Sequence, residues 1–339
     1  MFAYYFVKQN LGLGVMGAFL GIAIAEFISF LYLVIKIRKF KFSGQKIKNQ
    51  EFFKTNSVIT TTTLVLPLII AFDSFFVVNL LSAFLPKVEA TALFGLQSGI
   101  ISSIINFPVV ASVAVSLALL PQLSYNLQKG DKLSAQKAIE KMVLICLVVL
   151  IPCVLVLVFF AKDVLFFLYP TLSAEYLDIA VKLLQISATQ IVFIAITQIM
   201  TSVIQSLNKA HLATISFLLA GAVKVALVFL MVSNPDIGIY GMAISTLVFY
   251  GVSSGVLVLF AQKFLPFFLE KKVFLAGVVL TGILALDFFI VGFLFEGLII
   301  KICLAGLGFI AIYVLPLYFN NFFGIRNFLV AKIKQRGTK

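Results

Sequence analysis

The sequence predicts an all-α, polytopic membrane bundle, and three observations carry that reading. The 339 residues are 62% hydrophobic and only 12% charged, where a soluble domain carries about 25% charged residues. The apolar residues form long continuous runs rather than short alternating ones, which favours helices over an outer-membrane barrel. The basic residues gather in alternate loops, as membrane insertion sorts them. A soluble enzyme, a disordered chain and a disulfide-stapled secreted module are excluded by the same composition.

A membrane span needs about 20 mostly apolar residues. Nine runs qualify: 11–36, 57–81, 91–119, 141–161, 184–207, 212–233, 238–261, 273–294 and 299–319. The first is too long, and its flank too poorly charged, for a cleaved signal peptide. The second contains Pro67 and Asp73, and the third contains Pro108. Between the third and fourth, residues 125–140 read as an amphipathic helix lying along the cytoplasmic face. Pro170, Glu175 and Asp178 mark the loop between the fourth and fifth. The fifth carries a polar stripe, the sixth a lysine, and the seventh opens on Gly238-x-x-Gly241.

Orientation follows from the loops. One set holds Lys36, Arg38, Lys39, Lys41, Lys46, Lys48 and Lys54 after the first run, and Lys129, Lys132, Lys137 and Lys141 after the third. Lys209, then Lys263, Lys271 and Lys272, then the tail's Arg326, Lys332, Lys334, Arg336 and Lys339 continue that side. The opposite set holds only Lys8, Lys87, Lys162, Lys182 and Lys301. The excess predicts a multi-pass protein of the cytoplasmic membrane, with its C-terminus cytoplasmic and the start of this chain outside. The net charge of +13 is explained by this topology rather than by nucleic acid. The three cysteines lie in apolar runs without metal-ligand spacing, and the single His211 makes a zinc site or a Ser/His/Asp triad a poor fit. They read as packing residues.

Two stretches repeat one pattern. Gly14-Val15-Met16-Gly17 opens a run ending at Lys36, and Gly238-Ile239-Tyr240-Gly241 opens a run ending at Lys263. Either glycines simply open membrane helices, or each stretch closes one lobe of a duplicated transporter.

The segments LVLPLIIAFDSFFV (64–77) and EATALFGLQSGIISSIINFPVVASVAVSLALLPQLS (89–124) resemble the stage V sporulation protein B and lipid II flippase (MurJ/MviN) branch of the multidrug/oligosaccharidyl-lipid/polysaccharide (MOP) exporter superfamily, whose fold is MATE-like. The run from Ala92-Leu93-Phe94-Gly95 through Asn106-Phe107-Pro108 to Leu120-Pro121-Gln122-Leu123-Ser124 is its most specific part, and NPDIGIYGMAISTLVFY (234–250) is similar to the closing-helix motif. The resemblance implies two six-helix lobes plus two helices. The nine runs then match the sixth to the fourteenth helix, and five helices of the first lobe are absent. The implied division is 1–37, last helix of the first lobe; 38–55, basic cytoplasmic linker; 56–263, second six-helix lobe; 264–320, two further helices; and 321–339, basic tail. A misassigned start, a truncated gene or a second polypeptide supplying the rest would each explain the absent helices, and five helices before the first run would also account for an external start.

The resemblance implies a flippase rather than an enzyme. It would move a lipid-linked oligosaccharide, such as a peptidoglycan or polysaccharide precursor, through a polar cavity by alternating access. No cofactor is expected beyond coupling to protons or a monovalent cation. Lipid-linked oligosaccharide and membrane lipids are the expected partners.

Residues that could line such a cavity are read from the spans themselves. Asp73 lies mid-span, where a carboxylate is costly unless paired, hydrated or protonated. It is either a cavity residue sensing protons or a cation, or a helix-to-helix hydrogen bond or cap at a broken helix. Lys224, mid-span in LLAGAVKVALVF, either attracts substrate phosphate or pairs with Asp73 or another carboxylate. Gln198, Thr201, Ser202 and Gln205 share one helix face, as do Ser98, Ser102 and Asn106 with Gln97 beside them. Both stripes read as cavity wall or as interhelical glue. Pro67 and Pro108 are candidate gating kinks, and Glu26 a candidate on the first run. Gly17–Gly21 and Gly251–Gly255 read as close-packing pairs.

Three alternatives stand beside the flippase. A cation-coupled multidrug exporter of the same superfamily calls for more cavity carboxylates. A truncated, non-transporting scaffold subunit would fit the absent helices. A membrane transferase acting on a polyprenyl carrier needs a metal-binding carboxylate pair, and Asp131 and Glu140 are too far apart, with lysines between them.

Overall fold

A computed structural model of the chain describes residues 11–38, 49–267, 271–295 and 298–314. All secondary structure among these residues is helical. The chain forms two compact units, Met1–Phe53 and Lys54–Lys339. The first contains α1 (Leu11–Arg38). α2 (Asn49–Leu81) leads into the second. There follow α3 (Lys87–Gly95), a π-turn (Leu96–Ile101), α4 (Ser102–Gln128), α5 (Lys132–Phe159), the short α6 (Ala161–Leu168), α7 (Ala174–Ala188), α8 (Gln190–Ser206), α9 (Ala210–Val232), α10 (Ile239–Phe264), α11 (Lys271–Leu294) and α12 (Leu298–Gly308) with a terminal π-turn.

Among the described residues, seven helical stretches are long and apolar enough to cross a membrane. They are Thr60–Leu81, Lys87–Gln128, Lys132–Phe159, Ala174–Ser206, Ala210–Val232, Ile239–Phe264 and Gly277–Leu294, matching the second through eighth expected spans. α1 covers the first expected run as a 28-residue helix. α12 and its π-turn cover only the start of the ninth, whose residues beyond 314 lie outside the described residues, as do linker residues 39–48 and the whole tail. Large apolar side chains lie on the outer surface of these stretches: Leu68, Phe75, Leu230 and Phe293 are all more than half exposed.

The 125–140 segment departs from expectation. It is not one surface helix, because α4 continues to Gln128 and α5 begins at Lys132. Gly130 turns the chain between them at φ +74°. Asp131 caps α5 by accepting the Ser134 backbone N–H at 3.0 Å, which satisfies one otherwise orphaned donor. Amphipathic periodicity does not mark where a span stops and a turn begins, so two helix ends read as one helix.

The core of the second unit is built from pairs of neighbouring helices. α9 and α10 form an antiparallel hairpin: the Ser216 hydroxyl donates to the Ser253 carbonyl at 3.0 Å. At the other end of the hairpin, Gly241 lies against the Met231 and Val232 backbone. A Cβ on Gly241 would come within 2.8 Å of the Met231 carbonyl carbon, and Gly238 sits at φ +49°. Both glycines of that opening are therefore required by geometry. The pair Gly251–Gly255, expected to pack closely, does not: nothing lies within 4 Å of a Cβ added at either. Small-residue spacing marks where close packing is permitted, not where it occurs.

α2 runs parallel to α9. The Thr62 and Thr214 hydroxyls are hydrogen-bonded at 2.6 Å, Ile69 lies against Gly221, and Asp73 meets Lys224. Sequence separations of 152 and 151 residues at the two polar contacts show the helices keeping register in the same direction. Parallel packing is what first and fifth consecutive spans of one bundle must adopt.

Candidate functional site: a buried polar cavity

Asp73, Lys224 and the polar face of the π-turn enter the central cavity from three different helices, each for its own local reason. In α2, Asp73 interrupts an apolar run and points inward, only 4% exposed. In α9, Lys224 does the same at 3%. The Lys224 ammonium donates to Asp73 Oδ2 at 2.5 Å. This is the pairing a membrane interior demands, since an isolated charge there is costly. Nζ also lies 5.9 Å from the centroid of the Phe249 ring, within reach of a cation–π contact. Flanking Asp73 on α2, Phe72 and Phe76 stack at 4.4 Å, and Phe229 of α9 meets both edge-on.

The third contribution comes from the π-turn before α4. Its extra residue per turn shifts the helix face, and the Ser102 hydroxyl donates to the Gln97 carbonyl five residues back at 3.0 Å. Gln97, Ser98, Ser102 and Asn106 all come to face the same space. The Gln97 amide donates to the Ser187 hydroxyl at 3.2 Å, tying the π-turn to α7.

The resulting cavity of about 370 Å³ is lined by Asp73, Lys224, Gln97, Ser102, Asn106 and Gln190, among others. A second polar cavity of about 260 Å³ holds Gln198, Thr201, Ser202 and Gln205. Leu66, Ile194 and Tyr250 form walls of both. The structure thus brings six of the expected residues, Asp73, Gln97, Ser98, Ser102, Asn106 and Lys224, into one cavity and Gln198, Thr201, Ser202 and Gln205 into the adjoining one. Gln198 is itself held there, its Oε1 accepting from the Ser112 hydroxyl at 2.5 Å.

The two prolines are placed differently. Pro108 lines a separate, almost wholly apolar groove of about 510 Å³ between α4, α5 and α6. Pro67 lines none of the three spaces. α2 continues through Pro67, and α4 through both Pro108 and Pro121.

Several residues were missed by the sequence reading. Thr246 and Tyr250 line the central cavity beside Gln190, a polar residue of the fifth run, and no periodic stripe distinguishes those two. Asp287, a second intramembrane carboxylate, lies on α11 with its Oδ2 buried and unpaired; its mid-span position was the available signal. Lys301 bonds Asp163 at 2.8 Å, joining α12 to α6. Of the cysteines, Cys146 is buried as expected, but Cys303 is exposed. Among the described residues, no cluster of three or more His, Cys, Asp or Glu could hold a metal ion.

Helices enclosing a buried polar cavity with one ion pair at its centre define a class: a multi-pass membrane protein with the fold of the MOP superfamily. The fold is shared with a solved structure, the outward-facing conformation of a multidrug resistance MATE family transporter of the MOP superfamily. That match has a TM-score of 0.51 at 17% sequence identity, covering 70% of this chain and 52% of that one. Residues 1–309 match the family Lipid II flippase MurJ, and the chain belongs to that family. Stage V sporulation protein B of Bacillus subtilis (strain 168) is 24% identical over 261 residues, covering 71% of this chain and 48% of that protein. An uncharacterized membrane protein of Methanocaldococcus jannaschii is 26% identical over 207 residues, or 60% of this chain and 39% of that protein. The chain spans about half the length, or less, of these curated relatives.

Proposed function

We propose that this chain carries the cavity-bearing second lobe of a flippase that moves a lipid-linked oligosaccharide, such as a peptidoglycan or polysaccharide precursor, across the cytoplasmic membrane. Membership of the lipid II flippase family supports the cargo class. The observation that carries the reading is the membrane-embedded polar cavity built around Asp73 and Lys224. A bundle that served only as a scaffold gains nothing from an incompletely satisfied ion pair beside a void of about 370 Å³.

In this reading, residues 56–263 form the second six-helix lobe, 1–37 the last helix of the first, 38–55 the basic cytoplasmic linker, 264–320 two further helices and 321–339 a cytoplasmic tail. Transport is by alternating access, with the lobes rocking about the cavity. Asp73 is the coupling residue: a proton or monovalent cation arriving at its carboxylate releases Lys224 and biases one state over the other. Pro67 and Pro108 are hinge points of the two helices that move.

The test is reconstitution of the protein, purified from its native membrane, into vesicles holding a fluorescent lipid-linked disaccharide. Transfer of label between leaflets, abolished by Asp73→Asn, supports the proposal. Wild-type vesicles that move a cationic dye but no lipid-linked sugar would instead support a multidrug exporter.

A further inference from the structure

We infer that the second cavity is a water-filled vestibule joining one end of the lobe to the Asp73–Lys224 pair, and that Tyr250 is its gate. The inference rests on the flippase reading only for the use to which the pair is put, not for the vestibule itself.

Position carries the first part of the argument. The Gln97–Ser187 and Ser112–Gln198 hydrogen bonds show α4 and α8 running in the same direction. Both helices therefore finish at one end of the bundle, at the turns that hold Lys129 and Lys209. The sorting of basic residues makes that end cytoplasmic. The second cavity lies toward it: Thr62, on the cavity wall, donates to the Ala210 carbonyl at 3.4 Å, beside Lys209. From Ala210 to Lys224, α9 rises about 21 Å at about 1.5 Å per residue. Water reaches an ion pair that deep only along a polar passage.

The lining carries the second part. Thr197, Thr201 and Gln205 of α8, Thr62 of α2 and Ser116 of α4 give the cavity a wall of hydroxyls and amide. None of the described residues lining it is charged. Its volume of about 260 Å³ falls below the roughly 300–1,000 Å³ of pockets that enclose drug-sized molecules. It has room for several waters at about 30 Å³ each, and a roomy polar void is the kind that holds them.

The partition carries the third part. Leu66, Ile194 and Tyr250 wall both spaces. Phe217 on the vestibule side stacks on Phe249 on the ion-pair side at 6.4 Å, and the Tyr250 ring meets Phe249 edge-on at 5.0 Å. Phe249 in turn lies 5.9 Å from Lys224 Nζ. An apolar constriction stops water by dewetting. Of the three shared residues only Tyr250 has a polar tip. A turn of its side chain that carries the hydroxyl into the gap admits water to Asp73, and with it the protons or cations that the pair exchanges.

The test is cysteine accessibility in sealed membrane vesicles of each sidedness, from cells that make the protein at its native locus. The background is Cys146→Ala, Cys153→Ala and Cys303→Ala. The probe is membrane-impermeant trimethylammonioethyl methanethiosulfonate, which modifies a thiol where water reaches it. From the side of Lys209, the Thr201→Cys variant should react at least roughly tenfold faster than Ile283→Cys, a control on the exposed apolar face of α11. The Thr246→Cys variant, beyond the partition in the central cavity, should react slowly from that side. Adding Tyr250→Ala or Leu66→Ala should speed it several-fold. Tyr250→Phe, which keeps the ring and lacks the hydroxyl, should not.

A Thr201→Cys variant no more reactive than Ile283→Cys would mean a dry cavity and overturn the inference. So would a Thr246→Cys variant that reacts fast from that side with Tyr250 in place, or one that stays slow after both openings. If Tyr250→Ala does not fold, Leu66→Ala makes the same comparison. Thiol modification needs no transport. A wet, gated vestibule in a protein that moves no lipid keeps the inference and removes the flippase; a dry one in a protein that moves lipid does the reverse.

Discussion

Asp73 and Lys224 stand 151 residues apart in sequence, on parallel helices, with Oδ2 and Nζ 2.5 Å apart and both side chains almost wholly buried. Only one carboxylate oxygen is engaged, because Oδ1 has no partner. A buried pair held by a single contact is easily broken by a proton or a competing ligand, and very costly to lose by half.

The first prediction concerns that asymmetry. Lys224→Met leaves a buried, uncompensated carboxylate and should destabilise the protein by about 3–5 kcal/mol. Replacing both residues by neutral ones, Asp73→Asn with Lys224→Met, should recover most of that loss. The exchange Asp73→Lys with Lys224→Asp should also restore folding. Thermal unfolding in nanodiscs reads all three beside Asp73→Asn alone; full additivity of the two single losses in the neutral double variant would show that the residues do not act as a pair.

Gln190 gives a different signature. Its Oε1 is buried without a partner beside the cavity. Gln190→Leu removes an unsatisfied group worth about 1–3 kcal/mol and should leave Tm unchanged or higher. Transport should nevertheless fall. A parallel fall in both would mean that Gln190 is structural.

Close packing of the α9–α10 hairpin can be tested at glycines. A Cβ at Gly241 meets the Met231 backbone at 2.8 Å, whereas none at Gly251 or Gly255 meets anything within 4 Å. Gly241→Ala should cost about 1–3 kcal/mol by overpacking. Gly251→Ala and Gly255→Ala should be neutral or slightly stabilising in helix interiors. Denaturation midpoints distinguish the three.

The cap of α5 predicts a pH dependence. The Ser134 backbone N–H holds the exposed Asp131 carboxyl below the usual carboxylate range. Its folded-state pKa is depressed, so the cap's contribution is fully present above the ordinary Asp value of about 3.9. It is lost as pH falls through the lowered value. Asp131→Ala should speed hydrogen exchange at the Ser134 amide near neutral pH, while Asp131→Asn, itself a good cap, should change it little.

Much of the fold was legible in the sequence, because hydropathy reports the membrane's own requirement. Among the described residues, seven of the nine expected runs appear as helices long and apolar enough to span, displaced at their ends where helix continues past the apolar stretch. The ion pair was legible as two lone mid-span charges, since each needs a partner and few exist. The stripe of Gln198, Thr201 and Gln205 was legible from helical spacing. Thr246 and Tyr250 were not, because single polar residues on three-dimensionally adjacent helices leave no pattern along the chain. The π-turn at Leu96–Ile101 was also invisible. It changes the residues per turn, and with it the face on which Gln97 and Ser102 meet.

The central claim is that a lipid-linked saccharide crosses the membrane through the Asp73–Lys224 cavity. It is tested most directly by the rate at which an external quencher reaches inner-leaflet fluorescent lipid-linked disaccharide in vesicles reconstituted with the natively purified protein. The account predicts rapid loss of the protected pool with the wild-type protein, slow loss with Asp73→Asn, and recovery with the charge-exchanged pair. A protected pool that persists with the wild-type protein, or drains equally fast with Asp73→Asn, would contradict it.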